Sequence, residues 1–189
     1  SKVPVVYVDL RDYYLRGNNL RALLRDIAKK LRAYGFKTER FDIVNTLYLR
    51  VRCGTTWSRG EGITSEYSTI ARLIPRMRRL IRAPEIIANH GDKLQELIEE
   101  KFGEKSGWFI GMFGENYGES LLRLLIDDPE KYVYVMAEAL RADVVDIAES
   151  TREKAVILLL DSYEFLQNAT RELTREETHE GSRRITDED

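Results

Sequence analysis

Two short apolar runs, one near each end of the chain, have the composition of buried β-strands. Residues 3–10 (VPVVYVDL) and 155–160 (AVILLL) are almost continuously hydrophobic. Strands of a parallel sheet are covered on both faces and show this pattern, whereas half-exposed strands alternate between apolar and polar residues. We therefore predict two buried, parallel strands. Because two strands are too few for a self-sufficient sheet, we expect strands from outside this sequence to complete it.

Helical periodicity follows the first strand and precedes the second. Leucine and isoleucine at positions 20, 23, 24, 27 and 31 form one apolar stripe, and Gly35 lies where a left-handed residue ends a helix. Asp128 and Pro129 are a cap and first-turn pair that opens another helix. The predicted apolar face of that helix consists of Tyr132, Val135, Met136, Ala139, Leu140, Val144 and Ile147. Residues 41–52 fit either a helix or a strand, and we favour a helix.

The two predicted strands enclose a mostly helical insert at about residues 55–126. Pro84 interrupts or begins a helix there, and the glycine-rich stretch 103–120 is predicted to be an ordered loop packed on helices. In residues 167–189 apolar side chains nearly disappear, so we expect a frayed or disordered polar tail. The pattern describes one α/β domain over residues 1–166, with helices on the faces of a parallel sheet.

Composition restricts the class of protein further. The chain has 189 residues, of which 43% are hydrophobic, which is enough for the core of one domain. No apolar run approaches the ~20 residues needed to span a bilayer, so no membrane partner is expected. Cys53 is the single cysteine, which fits a reducing, cytoplasmic compartment.

A basic helix at residues 70–82 (IARLIPRMRRLIR) raises the alternative of a nucleic-acid-binding protein. Arg72, Arg76 and Arg79 fall on one helical stripe, which could contact phosphates. We favour solvated or paired arginines, because the net charge of the chain is only -2 and phosphate binding usually recruits more than one basic element.

The sharpest candidate for chemistry is the segment AVILLLDSYEFL, residues 155–166. It places Asp161 at the carboxyl end of a predicted buried strand, where ligands of open parallel sheets bind. A carboxylate there can hold Mg²⁺, directly or through water, against nucleotide phosphates. Glu164, three residues further on, could orient or deprotonate an attacking water. The alternative is a strand that ends in an aspartate capping the next turn.

The order hydrophobic run, aspartate, small residue, aromatic residue and acid resembles the Walker B motif of the STAND class, the signal-transduction ATPases related to NACHT and NB-ARC modules. The run VPVVYVDLRDYYLRGNNLRALLRDIAKKLRAYGF is similar to the strand and helix that follow the P-loop helix in bacterial and archaeal members. The resemblance covers residues 3–45 and 130–166. It implies a three-layer P-loop NTPase fold with neighbouring parallel strands near residues 4–9 and 155–160.

The same resemblance implies a nucleotide-dependent switch that binds ATP and Mg²⁺ and hydrolyses ATP slowly. It makes Asp161 the magnesium-associated, cofactor-binding and catalytic acid, and Glu164 the acid near the catalytic water. The expected partners are nucleotide, other domains of a larger multidomain chain and further copies in a self-assembly.

The sequence departs from this family in one essential part. It contains no G-x-x-x-x-G-K-[ST] string, whose backbone amides and lysine hold the phosphates. In the family this Walker A loop would precede Ser1, so we expect a segment of a longer protein that is inactive in isolation. A non-catalytic protein-interaction module is the alternative to the switch.

Overall fold

The computed structural model describes residues 3–11, 20–53 and 84–162, and the chain divides into two compact units. Helices make up 76% of the described residues, together with one two-stranded parallel sheet. The α/β expectation is therefore met only loosely. None of the helices in the described ranges is long and apolar enough to cross a membrane.

The first unit comprises residues 1–34 and 148–189 and contains the sheet. Strand β1 (Val5–Asp9) pairs in parallel with strand β2 (Ile157–Asp161), in a register that sets Val5 against Ile157. Helix α1 (Leu20–Ala33) packs against β1 and buries Leu24, Ile27 and Leu31 of the predicted apolar stripe, whereas Leu20 at its start is 43% exposed. The parallel pairing of the two apolar runs is confirmed.

The predicted burial of these strands is wrong. In β1 only Val6 and Val8 are buried, while Tyr7 on the opposite face is 49% exposed. In β2 the side chains of residues 157–160 are all between 42% and 49% exposed. The reason is that no described element covers either face of β2, which pairs with β1 alone among the described strands.

The second unit, residues 35–147, is helical. Its elements are α2 (Glu39–Tyr48), a π-helical turn (Leu49–Cys53), α3 (Pro84–Phe102), a 3-10 turn (Gly103–Lys105), α4 (Ser106–Phe113), α5 (Tyr117–Asp127) and α6 (Pro129–Ser150), which continues into the first unit. Helix α2 confirms the helical prediction for residues 41–52, and its core residues are fully buried. Helix α6 begins as predicted, because Asp128 Oδ1 accepts the Lys131 amide at 3.0 Å.

The ordered loop predicted for residues 103–120 is wrong, because most of this stretch is helical. Gly107 lies inside α4, and Gly118 lies inside α5 where that helix crosses α3. Phe109 is fully buried, and its ring stacks on Tyr117 with centroids 5.6 Å apart. Gly118 therefore serves helix packing, and within residues 103–120 only Gly103 and Gly114 adopt positive φ angles.

Candidate functional site

The carboxyl ends of β1 and β2 bring two carboxylates together at one edge of the sheet. Asp9 and Asp161 are register partners. Because side chains alternate along a strand, both lie on the same face as Tyr7. The Tyr7 hydroxyl donates a hydrogen bond of 2.6 Å to Asp161 Oδ2 across the strand pair. The sequence prediction thus places Asp161 correctly at the carboxyl end of a parallel strand.

The second oxygen of Asp161 also has a donor. Asp161 Oδ1 accepts the main-chain amide of Ser162 at 2.7 Å, and Ser162 has a positive φ of 61°. The Tyr7 hydrogen bond, followed by the Ser162 amide, lowers the pKa of Asp161 below its ordinary value. The same hydrogen bond raises the pKa of Tyr7. The arrangement therefore favours an ionised Asp161 beside a neutral tyrosine.

Asp9 forms a local turn of its own. Its Oδ1 accepts the Arg11 amide at 2.9 Å, which is an Asx-type contact. One oxygen of Asp9 is therefore used by the backbone, while the carboxylate remains beside Asp161. Two acidic side chains from adjacent strands give this edge a negative character.

The two outer edges of the sheet differ. Ile157 donates its amide to the Pro4 carbonyl at 3.0 Å, so alternation directs the main-chain groups of Val5 and Tyr7 to the outer edge of β1. Side chains of α1 and the residue after it close this edge. Tyr34 donates its hydroxyl to the Val5 carbonyl at 2.9 Å, and Lys30 donates to the Tyr7 carbonyl at 2.5 Å.

The outer edge of β2 is open within the described ranges. The same alternation directs the amides and carbonyls of Leu158 and Leu160 away from β1, where no described strand pairs with them. An open groove of about 560 Å³, lined by Tyr7, residues 158–160 and Asp161, follows this side. Exposed apolar side chains next to unpaired backbone groups are typical of a strand that receives a neighbour.

The donor set at this edge fits a hard divalent cation only in part. Carboxylate oxygens are the ligands that Mg²⁺ prefers, and it usually takes one or two of them together with waters and substrate phosphates. Asp161 and Asp9 meet that need. The described residues hold no cluster of three or more acidic, histidine or cysteine side chains suited to a metal, so the remaining ligands would be water and phosphate.

Several predicted residues lie outside the described ranges. Glu164 is among them, as is the basic segment 70–82. Sequence reasoning did not identify Tyr7 or Asp9 as site residues, although both are in the first apolar run. A prediction of which residues pair between the two runs would have identified them, because cross-strand pairing brings Tyr7 to Asp161.

A second group of charges occurs in the helical unit and has a structural role. Asp143 of α6 is fully buried and accepts the amides of Arg40 and Phe41 at the start of α2, at 3.3 and 2.9 Å. Arg40 Nη1 contacts both Asp143 and Asp146, and Lys105 contacts Asp146. Burial raises the pKa of Asp143 to about 6. This carboxylate caps α2 from another helix.

Neither a family model, nor a curated protein, nor a solved structure matches this chain.

Proposed function

We propose that the chain is a segment of a STAND-class P-loop ATPase in which Asp161 contributes to a magnesium-nucleotide site. The observation that carries this proposal is the parallel pairing of β1 and β2, which brings Asp161 to the carboxyl edge of the sheet. Ligands of open parallel sheets bind outside this edge. The pairing also agrees with the neighbouring strands that the resemblance in residues 3–45 and 130–166 implies.

The chemistry assigned to the acids follows from their position. Asp161, ionised and open to solvent, would hold a hydrated cation, and Asp9 beside it would add negative potential. Glu164, three residues beyond, would orient or deprotonate the attacking water. When bound, Mg²⁺ would neutralise the charge that develops on the transferred phosphoryl group.

The open edge of β2 supports the view that this sheet extends further. In the proposed three-layer domain another strand would pair with Leu158 and Leu160 and cover the apolar residues of β2. The Walker A loop would accompany that additional part, because this sequence contains none. Nucleotide would then drive switching between a resting state and an assembled state of the larger protein.

The test is to join an upstream Walker A segment to the chain and to measure nucleotide binding and turnover. Asp161→Ala should weaken magnesium-dependent binding and abolish hydrolysis. Glu164→Ala should keep binding but lose hydrolysis, because an acid that positions water acts mainly in the transition state. Glu149→Ala, which changes an exposed acid outside the site, should behave as wild type. Equal turnover in all four proteins would refute the assigned roles.

The exposure of β2 favours one second candidate, a non-catalytic module that binds a partner by strand addition. In such complexes an extended segment pairs with an open sheet edge through main-chain hydrogen bonds. Under this alternative, titration of the joined protein with Mg-ATP should release no heat, and Mg-ATP should not shift its melting temperature. Leu158→Lys should abolish partner association, whereas Asp161→Ala should leave it unchanged. Magnesium-dependent nucleotide binding that Asp161→Ala removes would contradict this candidate.

A further inference from the structure

Tyr7 occupies an unusual place for a strand tyrosine, because its ring is half exposed while its two ends are anchored. At one end its main-chain carbonyl accepts Lys30 Nζ at 2.5 Å, on the outer edge of β1. At the other end its hydroxyl donates to Asp161 Oδ2 at 2.6 Å. Tyr7 therefore connects the closed edge of the sheet to the candidate site on the neighbouring strand.

We propose that Tyr7 is a positioning residue for Asp161, which holds this carboxylate in one orientation so that it can receive a hydrated divalent cation. The inference rests on the proposed function, and it names the residue that prepares the site. Tyr7 itself need not contact the cation or the nucleotide.

The geometry supports this role because few contacts among the described residues fix the Asp161 side chain. It is the last residue of an exposed edge strand, with solvent around its side chain. Its two oxygens each accept one hydrogen bond, from Tyr7 and from the Ser162 amide. A carboxylate offers about two lone pairs on each oxygen. Within the described ranges, one acceptor position on each oxygen therefore remains for waters of a hydrated cation.

Anchoring also explains why the donor should be a phenol on a strand. A tyrosine has only two side-chain torsions before its ring, so it presents a hydroxyl at a fixed distance with little loss of conformational entropy. Metal-site ligands commonly depend on such outer partners for their orientation. A ring that merely covered the sheet face would make no use of its hydroxyl.

The direct test compares the full chain with Tyr7→Phe at one neutral pH. Three-bond couplings from the backbone nitrogen and carbonyl carbon to Cγ of Asp161 report its χ1 rotamer by NMR. The wild type should show the couplings of a single rotamer, and Tyr7→Phe should show averaged values. Tyr34→Phe is the matched control, because it removes another exposed tyrosine hydroxyl, one that donates to the Val5 carbonyl rather than to Asp161. It should retain the wild-type couplings at Asp161.

A second measurement uses Mn²⁺ alone as a paramagnetic probe of cation binding. Broadening of the Ser162 amide signal should occur at lower Mn²⁺ concentration in the wild type than in Tyr7→Phe, by about tenfold, the lower end of the range for partners of metal ligands. Unchanged couplings at Asp161 in Tyr7→Phe would overturn the positioning role, whatever Mn²⁺ does. Averaged couplings at Asp161 in Tyr7→Phe, together with no Mn²⁺ broadening of Ser162 in the wild type, would uphold the positioning role. The same result would count against cation binding in the proposed function.

Discussion

Replacement of Asp143 by alanine tests whether burial or distance from Arg40 decides how much each of two acidic residues, Asp143 and Asp146, contributes to stability. Arg40 Nη1 lies 2.7 Å from Asp146 and 3.2 Å from Asp143, so distance alone ranks Asp146 first. Burial gives the opposite order, because the Asp143 side chain is 0% exposed and that of Asp146 is 42% exposed. We expect burial to decide.

The magnitude follows from what Asp143 holds. Its removal leaves two backbone amides of α2 without their acceptor. An unsatisfied buried group costs ~1–3 kcal/mol, and loss of a helix cap costs ~0.5–2 kcal/mol. Arg40 keeps Asp146 as a partner, and the ionised Asp143 already bears the cost of its own desolvation. We therefore expect a loss of about 2–3 kcal/mol at pH 7.5, against ~0–1 kcal/mol for Asp146→Ala, a partly exposed pair.

The assay is urea unfolding followed by far-ultraviolet circular dichroism, since most of the described helices lie in the unit that contains Asp143. The midpoint should fall in Asp143→Ala without a change in the dependence on urea, which would indicate lost stability rather than an altered unfolded state. A cost for Asp146→Ala equal to or greater than that for Asp143→Ala would refute the argument from burial.

Three further predictions concern stability. Burial raises the folded-state pKa of Asp143 to about 6, above its ordinary 3.8, so the folded protein binds more protons than the unfolded chain between these values. The unfolding free energy of wild type relative to Asp143→Asn should therefore fall by about 2–2.5 kcal/mol as pH rises from ~4 to ~7, and a flat difference would contradict this. Gly118→Ala should lower the unfolding free energy by several kcal/mol in chemical denaturation, because the added Cβ would collide with the Gly91 carbonyl. Gly111→Ala, whose Cβ would have nothing within 4 Å, should be neutral or stabilise by ~0.5–1 kcal/mol. Similar effects of the two substitutions would rule out a close helix crossing at Gly118. Asp128→Ala should cost ~1 kcal/mol through the lost cap of α6, and no loss of thermal stability would argue against that cap.

The sequence predicted strand identity better than strand environment. The apolar runs near Val6 and Leu159 correctly indicated two parallel partners, because both runs are short and contain β-branched residues, which favours a strand over a buried helix. The prediction that both strands are buried was wrong, because composition indicates only which side chains a strand is able to bury. Whether another element covers the strand depends on the rest of the sheet, about which a local sequence pattern carries no information.

Glycine misled the interpretation of residues 103–120 for a related reason. Glycine is read as a loop signal because of its conformational freedom, yet Gly118 is in a helix because α3 approaches too closely for a side chain. Asp143 was missed in the same way. The predicted face of α6 contained Val144, but the buried position belongs to Asp143, whose partners are about one hundred residues away in sequence. Such contacts have no local signature.

Amide hydrogen exchange along β2 tests the central claim most directly, namely that this strand is an inner strand of a larger sheet. In the isolated chain the outward amides of Leu158 and Leu160 should exchange fast, while those of Ile157 and Leu159, which face β1, should be protected. Joining the upstream segment that carries the Walker A loop should protect all four. Outward amides already protected in the isolated chain, or still unprotected in the joined protein, would contradict the account.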